Sequence, residues 1–317
     1  MFSIQEKFED GFNKILIIDE EAKTFIEILP ECGAILNAFS ITNETLKINT
    51  IDNYKNFDSY KNNIEASGFK SVKLSPFVCR MHHGEYTFGQ TAYKINKFYL
   101  GDHAIHGLLY DAEFTVVEKN IDEESASVSL MHAYRKKDNG YPFDYDCIIT
   151  YALKKQNSLT LTTQIINKDA GNIPMADGWH PYFTFGGSLN HLQLEFQSKA
   201  MVEFDEKLLP TGNLIPYQAF GSLKKIGETF FDNCFTVNFA ECQPMLVLRD
   251  TQKKMQLEIY PDKSYPYLQI YTPPHRQSIA IENLSAAPDA FNNGMNLQIL
   301  AAGEQAKFYT TYKISFL

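Results

Sequence analysis

Lys307-Phe-Tyr-Thr-Thr-Tyr-Lys-Ile-Ser-Phe316 sets Phe308, Thr310, Tyr312 and Ile314 at every second position. Successive side chains of a strand point to opposite faces, so this spacing predicts a strand with one side buried. The same period returns upstream. Leu192, Leu194 and Phe196 alternate with Gln193 and Glu195, and Met255, Leu257 and Ile259 with Gln256 and Glu258. Leu159 and Leu161 alternate with threonines, and Tyr267-Leu-Gln-Ile-Tyr271 repeats the pattern. Turn signals separate these runs: Asp138-Asn-Gly140, Asp169-Ala-Gly171, Gly186-Gly187, Pro210-Thr-Gly212 and Pro273-Pro274. Stretches of helical period are almost absent. Many short strands at close spacing predict an all-β protein, a large β-sandwich of mostly antiparallel strands. No Gly/Ser- or Pro-rich linker, charge block or 20–50-residue repeat divides the chain, so residues 1–317 are expected to form one domain. The polar, Asn/Lys-rich segment Asn43–Gly68 is expected to be a long loop.

Charge narrows the partners. The 317 residues carry 29 Lys and Arg against 38 Asp and Glu, a net charge of −9. Phosphate backbones and anionic membrane surfaces call for a basic footprint, so neither nucleic acid nor a membrane is expected as a partner. An uncharged small molecule suits the balance better. No apolar run approaches the roughly 18 residues of a membrane-spanning helix. Met1-Phe-Ser-Ile-Gln-Glu-Lys-Phe-Glu-Asp-Gly-Phe12 places charges where a signal peptide has its apolar stretch, so a cytoplasmic location is expected. Cys32, Cys79, Cys147, Cys234 and Cys242 are odd in number, scattered and without a C-x-x-C pair, which indicates neither a disulfide framework nor a zinc cluster. There is no G-x-G-x-x-G and no G-x-x-x-x-G-K-[ST], so no cofactor is expected. Phe (24) and Tyr (18) are abundant, and both favour strands and sugar-stacking surfaces.

Residues suited to chemistry collect in four islands. These are Cys79–Phe88 with Gly101–Gly107, Asp177–Phe183, Phe230–Phe235, and Tyr267–Thr272 with Ile281–Asn292. His106 precedes Gly107, which admits a close approach by backbone or ligand; a histidine satisfied by a backbone carbonyl fits as well. His103 and His106 form an H-x-x-H pair near His82-His83, but i and i+3 of a strand face opposite ways, and no metal site is expected. His180 lies between Trp179 and Pro181-Tyr-Phe, and the proline pushes it into an extended conformation. Such a histidine suits a general acid beside a sugar ring, or an aromatic core cluster with an edge His. In Ser278-Ile-Ala-Ile-Glu-Asn, Glu282 faces away from Ile279 and Ile281. It is either a strand end entering solvent or a buried carboxylate held for function. Glu304 reads as a turn residue. The apolar flank of Arg80, Pro76-Phe-Val-Cys79, points to a buried, paired guanidinium.

Together, and in their order, the islands resemble the aldose 1-epimerase (galactose mutarotase) family from about Pro76 to Phe316. Arg80 with Gly84-Glu-Tyr-Thr-Phe88 is similar to the family's arginine and the strand after it. His106-Gly107 resembles its first histidine and His180-Pro-Tyr-Phe its second. Asp232 in Phe-Asp-Asn-Cys-Phe, Gln269 in Leu-Gln-Ile-Tyr-Thr and Glu282 before Pro288-Asp-Ala-Phe-Asn292 resemble its sugar-binding aspartate, its glutamine and its catalytic glutamate. The resemblance implies a β-supersandwich of the galactose mutarotase type and no catalytic metal. It also implies interconversion of α and β anomers of a free aldohexose. Glu282 and His180 would then be catalytic, and Arg80, His106, Asp232 and Gln269 would bind the sugar. Leu108 where many members have a second glycine, and Asn283-Leu284 after the glutamate, depart from the common pattern and leave the preferred sugar open. The other readings are a non-catalytic sugar binder on the same fold, a phosphosugar mutarotase and a glycoside hydrolase or lyase. A hydrolase usually needs two facing carboxylates, and a phosphate site wants clustered arginines, whereas Arg80, Arg135, Arg249 and Arg276 are scattered.

Overall fold

In the computed structural model, which describes residues 1–43 and 46–317, Gln305–Phe316 is an inner strand of a nine-stranded sheet. The order across this sheet is Thr115–Ile121, Ser125–Arg135, Asp144–Lys154, Ser158–Asn167, Gln305–Phe316, Met255–Pro261, Leu246–Asp250, Gln193–Phe196 and Lys224–Lys225. Phe308, Thr310, Tyr312 and Ile314 are buried, as the alternation requires. A second sheet runs Pro210–Pro216, Ser198–Phe204, Asp232–Val237, Tyr267–Tyr271, Ile279–Leu284, Gly178–Trp179 and Lys73–Leu74, with Tyr182–Phe183 also paired to Ile279–Leu284. The two sheets meet through apolar inner faces. Phe183 of the second packs edge-on against Tyr312 of the first, ring centroids 5.3 Å apart, and Thr310 donates to Asn283 Oδ1 at 2.9 Å. Five N-terminal strands, from Phe2–Glu9 to Lys47–Asn49, add a meander, and Tyr151 Oη donates across to the Ala34 carbonyl at 2.6 Å. Among the described residues every paired strand ladder is antiparallel; the isolated bridge Ser75–Gly107 is parallel.

The segment Asn43–Gly68 is not one long loop. Residues 44 and 45 lie outside the described residues, but Lys47–Asn49 is a strand and Phe57–Asn63 a helix. Asn56 starts that helix with a reciprocal cap: Ser59 N–H donates to Asn56 Oδ1 at 2.8 Å and Ser59 Oγ accepts from Asn56 N–H. Tyr60 then buries its ring against Tyr54 and Phe12. Helix signals in two turns are too few for a period to show in so polar a stretch. The consequence is functional, because residues 65–70, just past the helix, form one wall of the cleft described below.

Beneath that cleft, Lys73 and Asp177 form a fully buried ion pair, Nζ to Oδ2 2.5 Å. Tyr265 donates to the other carboxylate oxygen at 2.7 Å, and the ammonium also donates to Gly178 O at 3.1 Å and Thr163 Oγ1 at 3.3 Å. It lies 4.4 Å from the ring centroid of Trp179. Burial raises the Asp177 carboxyl above its usual range, and Lys73 opposes that rise. The pair ties the strand carrying Lys73 to the short strand that leads into His180.

Candidate active site

Strand register builds the floor of the site. Glu282 stands opposite Gln269, and Gln269 opposite Cys234. In the next same-face row, Ala280 stands opposite Tyr271 and Tyr182, and Tyr271 opposite Asp232. Registered partners, and residues two apart, share one face of a sheet. Asp232, Gln269, Tyr271, Tyr182 and Glu282 therefore converge, while Ile279 and Ile281 enter the core from the opposite face.

They converge on a cleft of about 510 Å³ that also takes in Arg80, His106 and His180. All six residues singled out in the sequence line this one cleft. His180 Nε2 lies 3.4 Å from Glu282 Oε1. The His180 ring stacks on Tyr182 (centroids 5.2 Å, interplanar 16°) and meets the edge of His106 (4.7 Å, 89°). Gln269 Nε2 donates to Asp232 Oδ1 at 3.1 Å. His106 has φ +62° and donates its N–H to Cys79 O at 2.9 Å. The glycine after it admits backbone: a Cβ on Gly107 would sit 2.3 Å from the Ser75 carbonyl oxygen.

Arg80 differs from expectation. It is only half-buried, and its guanidinium makes no ion pair or hydrogen bond among the described residues. Its charge nevertheless acts on the acids around it, lowering both Asp232 and Glu282 against the rise that burial imposes. It sits at the cleft edge because its strand, Arg80–Met81, is an outer strand of a small three-stranded sheet, paired on one side with the buried strand His103–Ile105.

Electrostatics favours neutral forms here. Glu282 is 2 % exposed, and burial followed by the Asp232 charge pushes its carboxyl well above the usual range. Burial brings the His180 imidazole down to about 4. Burial, then His180 and Arg80, hold His106 well below its ordinary value. Asp232 is raised by burial, with Arg80 and the Gln269 amide opposing. Removing charge from water is expensive, so burial favours the neutral forms of these imidazoles and carboxyls.

Cys79 is a contact that sequence reasoning missed: its thiol lies 3.9 Å from Glu282 Oε2, at φ +49°. Only its place beside Arg80 hinted at it. Tyr182 and Tyr271 were also passed over as strand aromatics, yet both line the cleft. His103 turns away from His106 and joins His82 and His83, its Nδ1 accepting the His83 N–H at 3.1 Å. Among the described residues, no group of three or more His, Cys, Asp or Glu is arranged to hold a metal ion, and no helix is long and apolar enough to cross a membrane. Glu304 is a turn residue, its carboxylate accepting the Ala301 N–H at 2.8 Å.

This cleft lies in a sandwich of a known class. Residues 18–313 match the profile of the Aldose 1-epimerase family, and the chain belongs to that family. A Clostridium acetobutylicum galactose mutarotase-like protein superposes with a TM-score of 0.86 at 18 % identity, covering 100 % of this chain and 99 % of that one. The fold is thus the galactose mutarotase-like all-β sandwich. Escherichia coli YihR is 25 % identical over 248 residues, 74 % of this chain and 76 % of YihR. A maltose epimerase of Levilactobacillus brevis is 23 % identical over 253 residues, 73 % of this chain and 72 % of the relative.

Proposed function

We propose that this chain is an aldose 1-epimerase, interconverting the α and β anomers of a free aldohexose by acid–base ring opening. The observation that carries the reading is the 3.4 Å contact of His180 with Glu282 inside a cleft walled by tyrosines. Opening needs a base for the C1 hydroxyl proton and an acid for the ring oxygen. Glu282 takes the O1 proton as the C1=O bond forms; the C1–O5 bond breaks, and His180 gives O5 a proton. The aldehyde turns about C1–C2, O5 attacks its other face, and both protons return. Arg80, His106, Asp232 and Gln269 hold the hydroxyls and orient the ring, and orientation supplies much of the remaining rate. A non-catalytic sugar binder has no use for the acid–base contact. A phosphosugar site is less well supported, because a phosphate wants clustered cations: Lys70 in the cleft is already held by Asp52 at 2.8 Å, which leaves Arg80 as the one lysine or arginine of the cleft without an ion pair among the described residues.

The pair works with one proton between its members. Burial starts it as neutral Glu282 and neutral His180, and transfer across their contact gives the carboxylate and imidazolium that opening requires. Polarimetry of freshly dissolved α-D-glucose and α-D-galactose should show anomer equilibration above the buffer rate. The pH dependence of kcat/KM should be bell-shaped. Toward about pH 4 His180 takes a second proton and no base is left. On the alkaline side, above the raised value of Glu282, the pair loses its proton and no acid is left. A rate that only rises with pH, without an alkaline limb, contradicts the one-proton requirement.

Asp232→Ala should act mainly through binding, raising KM by about tenfold, the weight of one charged hydrogen bond to a hydroxyl, with kcat changed much less. Steady-state polarimetry reads both parameters. An effect on kcat alone would take Asp232 out of the binding role.

A further inference from the structure

We infer that Cys79 is a positioning residue: its thiol donates to Glu282 Oε2 and so keeps the proton of the buried acid–base pair on Oε1, the oxygen that faces His180. This rests on the epimerase reading above and adds to it the residue that decides which oxygen carries the proton.

Geometry divides the carboxyl between two neighbours. Oε1 lies 3.4 Å from His180 Nε2, and Oε2 lies 3.9 Å from the Cys79 sulfur. Among the described residues no other group is hydrogen-bonded to Oε2. Cys79, His180 and Glu282 are all buried, and all three line the cleft. A thiol donates only while it keeps its hydrogen. Burial, followed by the Glu282 charge, holds the Cys79 thiol well above its usual value, so the sulfur is a donor rather than a thiolate. Two hydrogens cannot share one contact. With Oε2 accepting from sulfur, the proton of neutral Glu282 sits on Oε1, and its partner there is the Nε2 of a neutral imidazole. The transfer is then short: the Oε1–H bond breaks, the Nε2–H bond forms, and the thiol keeps its own hydrogen. On Oε2 the same proton would face sulfur and have no acceptor of use to the reaction.

Backbone conformation is the second observation. Cys79 has φ +49°, in the left-handed region that glycine enters freely and a residue with a Cβ enters at a cost. The bend itself is needed, because the Cys79 carbonyl accepts the His106 N–H at 2.9 Å and Arg80 begins the next strand. Glycine would serve that bend without strain. The chain instead places a sulfur there, against the carboxyl, and strain retained beside reacting groups points to a use for the side chain.

The test uses Cys79→Ala, which removes the donor, Cys79→Gly, which removes it and relaxes the bend, and Cys79→Ser, which keeps a donor. A small rotation of the Glu282 carboxyl covers the shorter reach of the serine hydroxyl. By polarimetry, Cys79→Ala and Cys79→Gly should each lower kcat about tenfold with KM within about twofold of wild type. In both, the alkaline limb of kcat/KM should move to higher pH, because losing a donor to the carboxylate raises Glu282 further. Cys79→Ser should recover most of kcat and return the limb toward wild type. Wild-type kcat in Cys79→Ala, a loss through KM alone, a limb that does not move, or Cys79→Ser no better than Cys79→Ala overturns the inference. Infrared spectroscopy reads the contact without turnover: the Cys79 S–H stretching band, assigned by its absence in Cys79→Ala, should move to higher wavenumber in Glu282→Leu as its acceptor is lost. If no sugar is turned over but the band responds, the thiol–carboxyl contact stands and the epimerase reading falls. Turnover of sugar with a band indifferent to Glu282→Leu gives the reverse.

Discussion

Glu282→Gln should reduce kcat for anomer interconversion by about 10³-fold while leaving the sugar dissociation constant within about threefold of wild type. The amide keeps the shape of the side chain and its hydrogen-bonding reach, so the ring can still be held. What it cannot do is accept the O1 proton. A positioned acid or base is worth roughly 10² to 10⁴ in rate, and the middle of that range is expected here. Glu282 is buried on the floor of the cleft, 3.4 Å from His180. Polarimetry corrected for the buffer rate reads kcat, and calorimetry reads binding. Turnover retained in the variant moves the base elsewhere, and Asp232, whose carboxyl shares the cleft, becomes the next residue to replace.

Lys73→Ala is expected to cost about 3–5 kcal/mol of folding stability. Removing one partner leaves Asp177 buried with its charge uncompensated, and it must either protonate or admit water. The variant also loses the ammonium from the Trp179 ring and two hydrogen bonds, to Gly178 O and Thr163 Oγ1. Urea titration followed by tryptophan fluorescence suits the measurement, since Trp179 is the one tryptophan and sits in the affected contact. The double variant Lys73→Met/Asp177→Asn should recover most of the loss, because no lone charge remains. A loss below about 1 kcal/mol in the single variant would mean the pair is hydrated in solution.

Some of the site was legible because strand chemistry is local. Period two in Tyr267–Tyr271 and around Glu282 states which side chains share a face. The resemblance then supplied the order of Arg80, His106, His180, Asp232, Gln269 and Glu282, and all six line one cleft. Lys73 carried no local signal. A lysine in a short strand reads as a solvated charge until Asp177, over a hundred positions away, is brought against it. Cys79 was silent for the same reason, since its neighbour Glu282 comes from across the fold. The loop expected over Asn43–Gly68 was a misreading of composition: a capped two-turn helix with one buried face, Phe57–Asn63, needs too few apolar residues to announce itself.

Alternation along the chain determined that this protein is built of antiparallel strands with one side buried, because the face a side chain takes depends only on its parity within its own strand. Which strands lie side by side is a matter of long-range pairing. That pairing alone decided that Glu282 meets Gln269, that His180 reaches Glu282 across the cleft, that Lys73 finds Asp177, and that Phe230 stands exposed beside Tyr271.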